Sequence, residues 1–219
     1  MRMNDYLIFG ASGLTGNNFL KEVKDTGRSY HLFVRSLIED EDADNQTIFS
    51  QDCIKELPRS KNLIICLGYP LAFQELIWMN EDTKKAFKEV DLDLVVKISK
   101  IAKDIGVLNI AVISAVDSRL NSLNYYLNIK AEMEQKILAL KFKKTFFAKP
   151  GHLLGLRDKS RIDNWVRVIE FFGKIYGLFL VGPLKKYRNV EAKQVAEELF
   201  NAINSSNVTS NYLIEVHES

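Results

Sequence analysis

Cysteine is scarce in this chain. Only Cys53 and Cys66 occur among 219 residues, too few for a disulfide framework, and they read as reduced core or near-core thiols. No stripe of lysine and arginine interleaved with aromatics appears, and the formal net charge is only +2. The electrostatic footprint of a nucleic-acid binder is therefore missing. The most apolar stretch, Phe171 to Leu184, is interrupted by Lys174 and closed by Gly182-Pro183, whereas a bilayer span needs about 20 apolar residues. Internal repeats and low-complexity segments are lacking too. The first apolar run starts within a few residues of Met1, which leaves no room for a signal peptide, so the expected location is the cytoplasm. An acidic run, Glu39 to Asp44, has the D-x-D-x-D spacing of a calcium loop at Asp40, Asp42 and Asp44. Asn45 and Gln51 stand where that loop needs glycine and glutamate, so no metal is expected and the run reads as a solvated loop. What is present is ordinary globular usage, 47% hydrophobic and 26% charged, and a length that one α/β domain, residues 1–219, can fill.

The chain is organised around Gly10-Ala11-Ser12-Gly13-Leu14-Thr15-Gly16. The apolar run Tyr6 to Phe9 precedes it, and Leu14, Phe19, Leu20 and Val23 follow at helical spacing. Strand, glycine turn and helix are the context that a dinucleotide fingerprint requires, although the spacing is G-x-x-G-x-x-G. Gly10 would make the tight turn, Gly13 would let backbone approach a pyrophosphate, and Gly16 would let the helix lie against the strand. Phosphates would then meet free N–H groups at the helix N-terminus.

Further strands are predicted at Tyr30–Val34, Thr47–Phe49, Asn62–Leu67, Val107–Ile113, Thr145–Ala148 and Tyr212–Val216. Helices are predicted around Leu71–Trp78, Thr83–Ile105, Leu123–Leu140, Ile162–Ile175 and Val190–Asn204. Alternating strands and helices with right-handed crossovers give a doubly wound parallel sheet, a Rossmann-type α/β fold. In such a sheet ligands gather at the carboxyl ends of the strands, where Gly10 to Gly16, Arg35, Gly68, Ser114 and Pro150-Gly151 fall. Tyr126 and Lys130, four apart, share a helix face with Ile129, Met133, Ile137 and Leu140. A lysine on that inward stripe either snorkels its ammonium to water or has a job inside.

Together the glycine fingerprint, Leu67-Gly68, Ser114, the Tyr126/Lys130 pair and Lys149-Pro150-Gly151 resemble the short-chain dehydrogenase/reductases. More narrowly they are similar to the atypical NAD(P)-binding branch that includes Tat-interacting-protein-like oxidoreductases and NmrA-like proteins. The resemblance covers about residues 4 to 204. It implies that Tyr126 gives a proton to a carbonyl reduced by hydride, and that Lys130 binds the nicotinamide ribose and lowers the tyrosine pKa. It also implies that a serine, Ser114 or its competitor Ser118, orients the carbonyl oxygen. Many relatives support the lysine through an asparagine and water, where this chain offers Asp91.

The expected cofactor contacts are Gly10, Ser12, Gly13, Leu14, Thr15, Gly16, Arg35, Leu67, Gly68, Tyr126, Lys130 and Pro150. At the end of the second strand, Arg35 can fork onto a 2′-phosphate, which favours NADP(H) over NAD. Residues 151–188 are left to cover a small substrate. Trp165, Phe171, Phe172, Tyr176 and Phe179 make that cover aromatic, and it is too short for the sugar-nucleotide epimerase activity of the same superfamily. Two functions follow: an NADPH-dependent reductase of a small carbonyl compound, or a sensor that binds NADP(H) without turnover and changes its contact with a protein partner. No nucleic acid or membrane partner is expected, and oligomeric state is left open.

Overall fold

The structure, a computed structural model, describes residues 3–50, 57–76, 78–151, 153–154, 190–205, 209–211 and 213–219. The strands in chain order are β1 (Asn4–Phe9), β2 (Tyr30–Val34), β3 (Gln46–Ile48), β4 (Ser60–Ile65), β5 (Asn109–Ile113), β6 (Lys144–Ala148), β7 (Leu153–Leu154), β8 (Val190–Glu191) and β9 (Ile214–Glu218). The helices are α1 (Leu14–Asp25), α2 (Glu81–Lys88), α3 (Val95–Asp104), α4 (Tyr125–Leu138) and α5 (Ala192–Asn204). Seven strands form one sheet in the order β3-β2-β1-β4-β5-β6-β9, and β7 pairs with β8 apart from it. This is the doubly wound order with its reversal between β1 and β4.

Two-residue periodicity sends successive side chains of each strand to opposite faces. Leu7, Phe9, Leu63, Ile65, Ile110 and Val112 pack with Phe87, Ile98, Ile129 and Met133 on one face. Tyr6, Ile8, Leu32, Ile64, Ala111 and Phe146 pack with Phe19, Val23, Val195 and Leu199 on the other. Both faces are covered, which is why the strands read as continuous apolar runs.

Four expectations change. The last strand is antiparallel to β6, with Phe146 opposite Val216, because an edge strand pairs on one side only and either direction serves. The long helix is interrupted by a π-helical stretch, Glu89–Leu94, between α2 and α3. The wider turn there shifts the period, so that Asp91 and Leu92 are buried while Val90 and Leu94 are only half-buried. The predicted short helix around Leu71 to Trp78 is a 3-10 turn, Phe73–Leu76. The acidic run is not wholly solvated either: Glu41 accepts from Lys24 Nζ at 2.8 Å and from the Tyr30 hydroxyl at 2.6 Å. The helix predicted at Ile162–Ile175, the aromatic cover residues, Cys53 and Tyr212 lie outside the described residues.

Candidate active site

The register aligns the carboxyl ends of the strands. Phe9 lies beside both Phe33 and Ile65, Ile65 beside Val112, and Ile113 beside Ala148. The loops that follow, carrying Gly10, Arg35, Gly68, Ser114 and Pro150, therefore leave the sheet side by side.

At the first of them the glycines are dictated by space. Gly10 has φ +84°, and a Cβ there would lie 2.6 Å from the Cys66 carbonyl oxygen. A Cβ on Gly16 would lie 2.1 Å from the Gly10 carbonyl oxygen, so α1 is pressed onto the turn itself and not only onto the strand. Gly13, the N-cap of α1, donates its N–H to Gly10 O at 2.9 Å. No side chain caps α1 and no acidic residue stands in its first turn, whereas Asn80 and Asn124 cap α2 and α4. The backbone N–H groups of Leu14 and Thr15 open an uncapped helix, an arrangement suited to an anion. Ser12 and Arg35 are exposed beside this turn, Leu67 is half-buried and Pro150 is buried.

Tyr126 and Lys130 are brought under the loops after β4 and β5. Lys130 does not snorkel. Its Nζ lies 2.7 Å from Asp91 Oδ1, with the two side chains 5% and 3% exposed, and it also donates to the Ile113 carbonyl at 3.1 Å. An ammonium carries three N–H donors, so one remains for another acceptor. The second oxygen of Asp91 accepts from the Tyr69 N–H at 2.7 Å. One buried carboxylate thus holds both the lysine and the loop that carries Leu67 and Gly68. Burial alone would depress the Lys130 pKa, but Asp91, Tyr126 and Glu134 outweigh it and the ammonium is held above its ordinary value.

Tyr126 packs its ring on Phe87, centroids 5.4 Å apart. Its pKa is raised: burial pushes it up, Lys130 pulls it down and Asp91 pushes it up again. Lys130 lowers it, as the resemblance implied, but burial outweighs that effect and Asp91 opposes it. The neighbouring Tyr125 turns elsewhere, toward the Lys84 carbonyl at 3.4 Å.

Ser114 and Ser118 share an acceptor. Both hydroxyls donate to one oxygen of Glu134, Ser118 at 2.7 Å. The other oxygen of Glu134 pairs with Lys149 Nζ at 3.0 Å, and Lys149 also pairs with Glu215. Glu134 was missed in the sequence although its signal was there: it stands four residues after Lys130, on the stripe that holds Tyr126.

No family model matches the chain. HTATIP2 of Rattus norvegicus is 29% identical over 184 residues, 80% of this chain and 73% of that protein. The protein "FMP52, mitochondrial" of Debaryomyces hansenii is 28% identical over 160 residues, 70% of this chain and 69% of that one. Among solved structures, UDP-N-acetylglucosamine 4-epimerase from Bacillus cereus superposes with a TM-score of 0.65 at 14% identity, covering 94% of this chain and 76% of that one. Human epimerase family protein SDR39U1 with NADPH gives 0.56 at 14% identity, covering 78% of this chain and 60% of that one. The chain spans less than two thirds of the first solved structures it matches, 55% of MoeE5 in complex with UDP-glucose and NAD. At these identities the structures establish the Rossmann-type fold, and the sequence relatives include a Tat-interacting-protein-like member, as the residues implied. The cytoplasmic expectation is overturned, because the FMP52 relatives are named as mitochondrial proteins.

Proposed function

We propose, on the premise that this chain is kin to the Tat-interacting-protein-like branch of the short-chain dehydrogenase/reductases, that it is an NADP(H)-dependent oxidoreductase acting on a small carbonyl compound. The carrying observation is the buried Tyr126/Lys130 pair at the same sheet end as an uncapped, acid-free helix N-terminus behind the glycine turn. Those residues fit a dinucleotide. The Leu14 and Thr15 N–H groups would hold its phosphates, Arg35 its 2′-phosphate, and the remaining donor of Lys130 a ribose hydroxyl. The bound nicotinamide supplies the hydride. Tyr126, a phenol and therefore protonated at neutral pH, gives its proton to the substrate oxygen as the carbonyl carbon is reduced. Lys130 stabilises the phenolate left behind, less strongly than an unpaired lysine would, because Asp91 shares its charge. From the names of the FMP52 relatives the proposed location is the mitochondrion.

A second reading rests on a specific observation as well. With Lys130 paired to Asp91 and the Ser114 proton held by Glu134, groups that would serve turnover are engaged elsewhere, which supports a sensor with a protein partner. The experiment is a screen of aldehydes and quinones for NADPH oxidation, repeated with Tyr126→Phe. A reductase loses about a hundred- to ten-thousandfold in turnover with little change in nucleotide affinity. Unchanged turnover in Tyr126→Phe, or no oxidation with any carbonyl, leaves the sensor.

A further inference from the structure

Glu134 is buried, and each of its carboxylate oxygens is engaged: one accepts from Ser114 and Ser118, the other from Lys149. A carboxylate in an ion pair has no proton to give, and an ammonium has no lone pair to offer. The polarity of the cluster is therefore fixed by its chemistry: both serines must donate to Glu134. A hydroxyl has one proton and two lone pairs, so Ser114 keeps only lone pairs for anything else. Its backbone is fixed by its own N–H to the Ala148 carbonyl at 2.7 Å. Ser114 directly follows Ile113, whose carbonyl holds Lys130, which places it at the end of the sheet where the proposed reaction occurs.

We infer that Glu134 is a positioning residue that sets Ser114 as a hydrogen-bond acceptor, so that the site selects a ligand group bearing a hydroxyl proton. This deepens the reductase reading and rests on it. Of a carbonyl/alcohol pair the alcohol donates to Ser114 and is held more tightly, while the carbonyl oxygen meets an acceptor and relies on the Tyr126 phenol alone. A carbonyl-orienting serine would have the opposite polarity.

The test uses the full chain saturated with NADP⁺ and two small inert probes: 2,2,2-trifluoroethanol, which donates, and N,N-dimethylformamide, which only accepts. Affinities are read by ligand-observed NMR titration. The unmodified protein is expected to favour trifluoroethanol by about threefold to tenfold, the span of one neutral hydrogen bond. In Glu134→Gln the Lys149 ammonium claims the amide oxygen and the amide NH₂ turns to the serines. Ser114 then accepts and its proton is freed, so the preference inverts toward dimethylformamide, whereas Ser114→Ala abolishes it. A role limited to holding the loop would weaken both probes alike. Neutron diffraction from the deuterated, unmodified protein gives a second reading, with the Ser114 deuterium expected between Oγ and Glu134. A deuterium on the other side of Oγ, an unchanged preference in Glu134→Gln, or binding of neither probe overturns the inference. Failure of NADP⁺ to bind counts instead against the function proposed above, and the deuterium still decides the polarity of Ser114.

Discussion

Asp91 Oδ1 and Lys130 Nζ meet 2.7 Å apart in the interior, the one on the π-helical stretch and the other on α4. Removing one partner of such a pair strands the other charge in a medium that solvates it poorly. Asp91→Ala is expected to lose about 3–5 kcal/mol of stability in denaturant titration. Asp91→Asn keeps the shape and leaves the Lys130 charge unopposed at Tyr126. The titration midpoint of the phenol, followed by the ¹³Cζ resonance of labelled tyrosine, should then fall, since Asp91 is one of the groups that raise it. A midpoint that rises or stays in place would show that Asp91 does not set the tyrosine.

Alkali should weaken the fold. Tyr126, Lys130 and Lys149 are all held above their ordinary values of 10.0 and 10.5 in the folded chain. The folded state therefore binds more protons than the unfolded one as pH passes those values. Their stabilisation is whole below about pH 10 and is lost as pH climbs through the raised folded values. Calorimetric melts between pH 8 and 11 should give a Tm that is level at first and then drops. A Tm that rises over the upper half of that span would reverse the sign.

The glycine turn makes a paired prediction. Gly16→Ala puts a Cβ 2.1 Å from backbone that cannot yield, and should cost more than about 3 kcal/mol of stability. Gly13 has φ −80° and ψ 168°, which any residue adopts, and a Cβ there meets the Gly10 carbonyl oxygen at 3.2 Å and the Cys66 carbonyl oxygen at 3.9 Å. Gly13→Ala should fold with a small loss and bind nucleotide poorly, because the Cβ would stand where the proposed pyrophosphate approaches. Thermal melts and NADPH titration of both variants distinguish the two roles.

The sequence made the frame legible because a parallel sheet covered on both sides leaves runs such as Leu7 to Phe9 and Ile110 to Val112 with no polar break. The glycine turn was legible for the same local reason. The direction of β9 was not, since an edge strand carries the same apolar pattern whichever way it runs. The electrostatics of the site were legible only in part. Asp91 was named beside Lys130 through the family resemblance, but no 3.6-residue period announces the π-helical stretch that turns it inward. Lys149 reaches Glu134 and Glu215 from different elements, and only the folded sheet places those elements together. Glu134 was missed, although its spacing to Lys130 made it readable.

Arg35 carries the proposed preference for NADPH over NADH. It is exposed just past the end of β2, which runs beside β1 and its glycine turn. A charge-assisted contact to the 2′-phosphate contributes about 1.5–3 kcal/mol, roughly ten- to a hundredfold in affinity. Arg35→Ala should bring NADPH affinity down to that of NADH and leave NADH unchanged. A variant that keeps the full preference would move the 2′-phosphate to another residue.

The account as a whole stands on the dinucleotide, so the most direct measurement is calorimetric titration of the unmodified protein with NADPH and, separately, NADH. Expected is one saturable site for NADPH with a dissociation constant near the micromolar range, about −8 kcal/mol, and tenfold or weaker binding of NADH. No heat and no saturation with either nucleotide at millimolar concentration would contradict the claim.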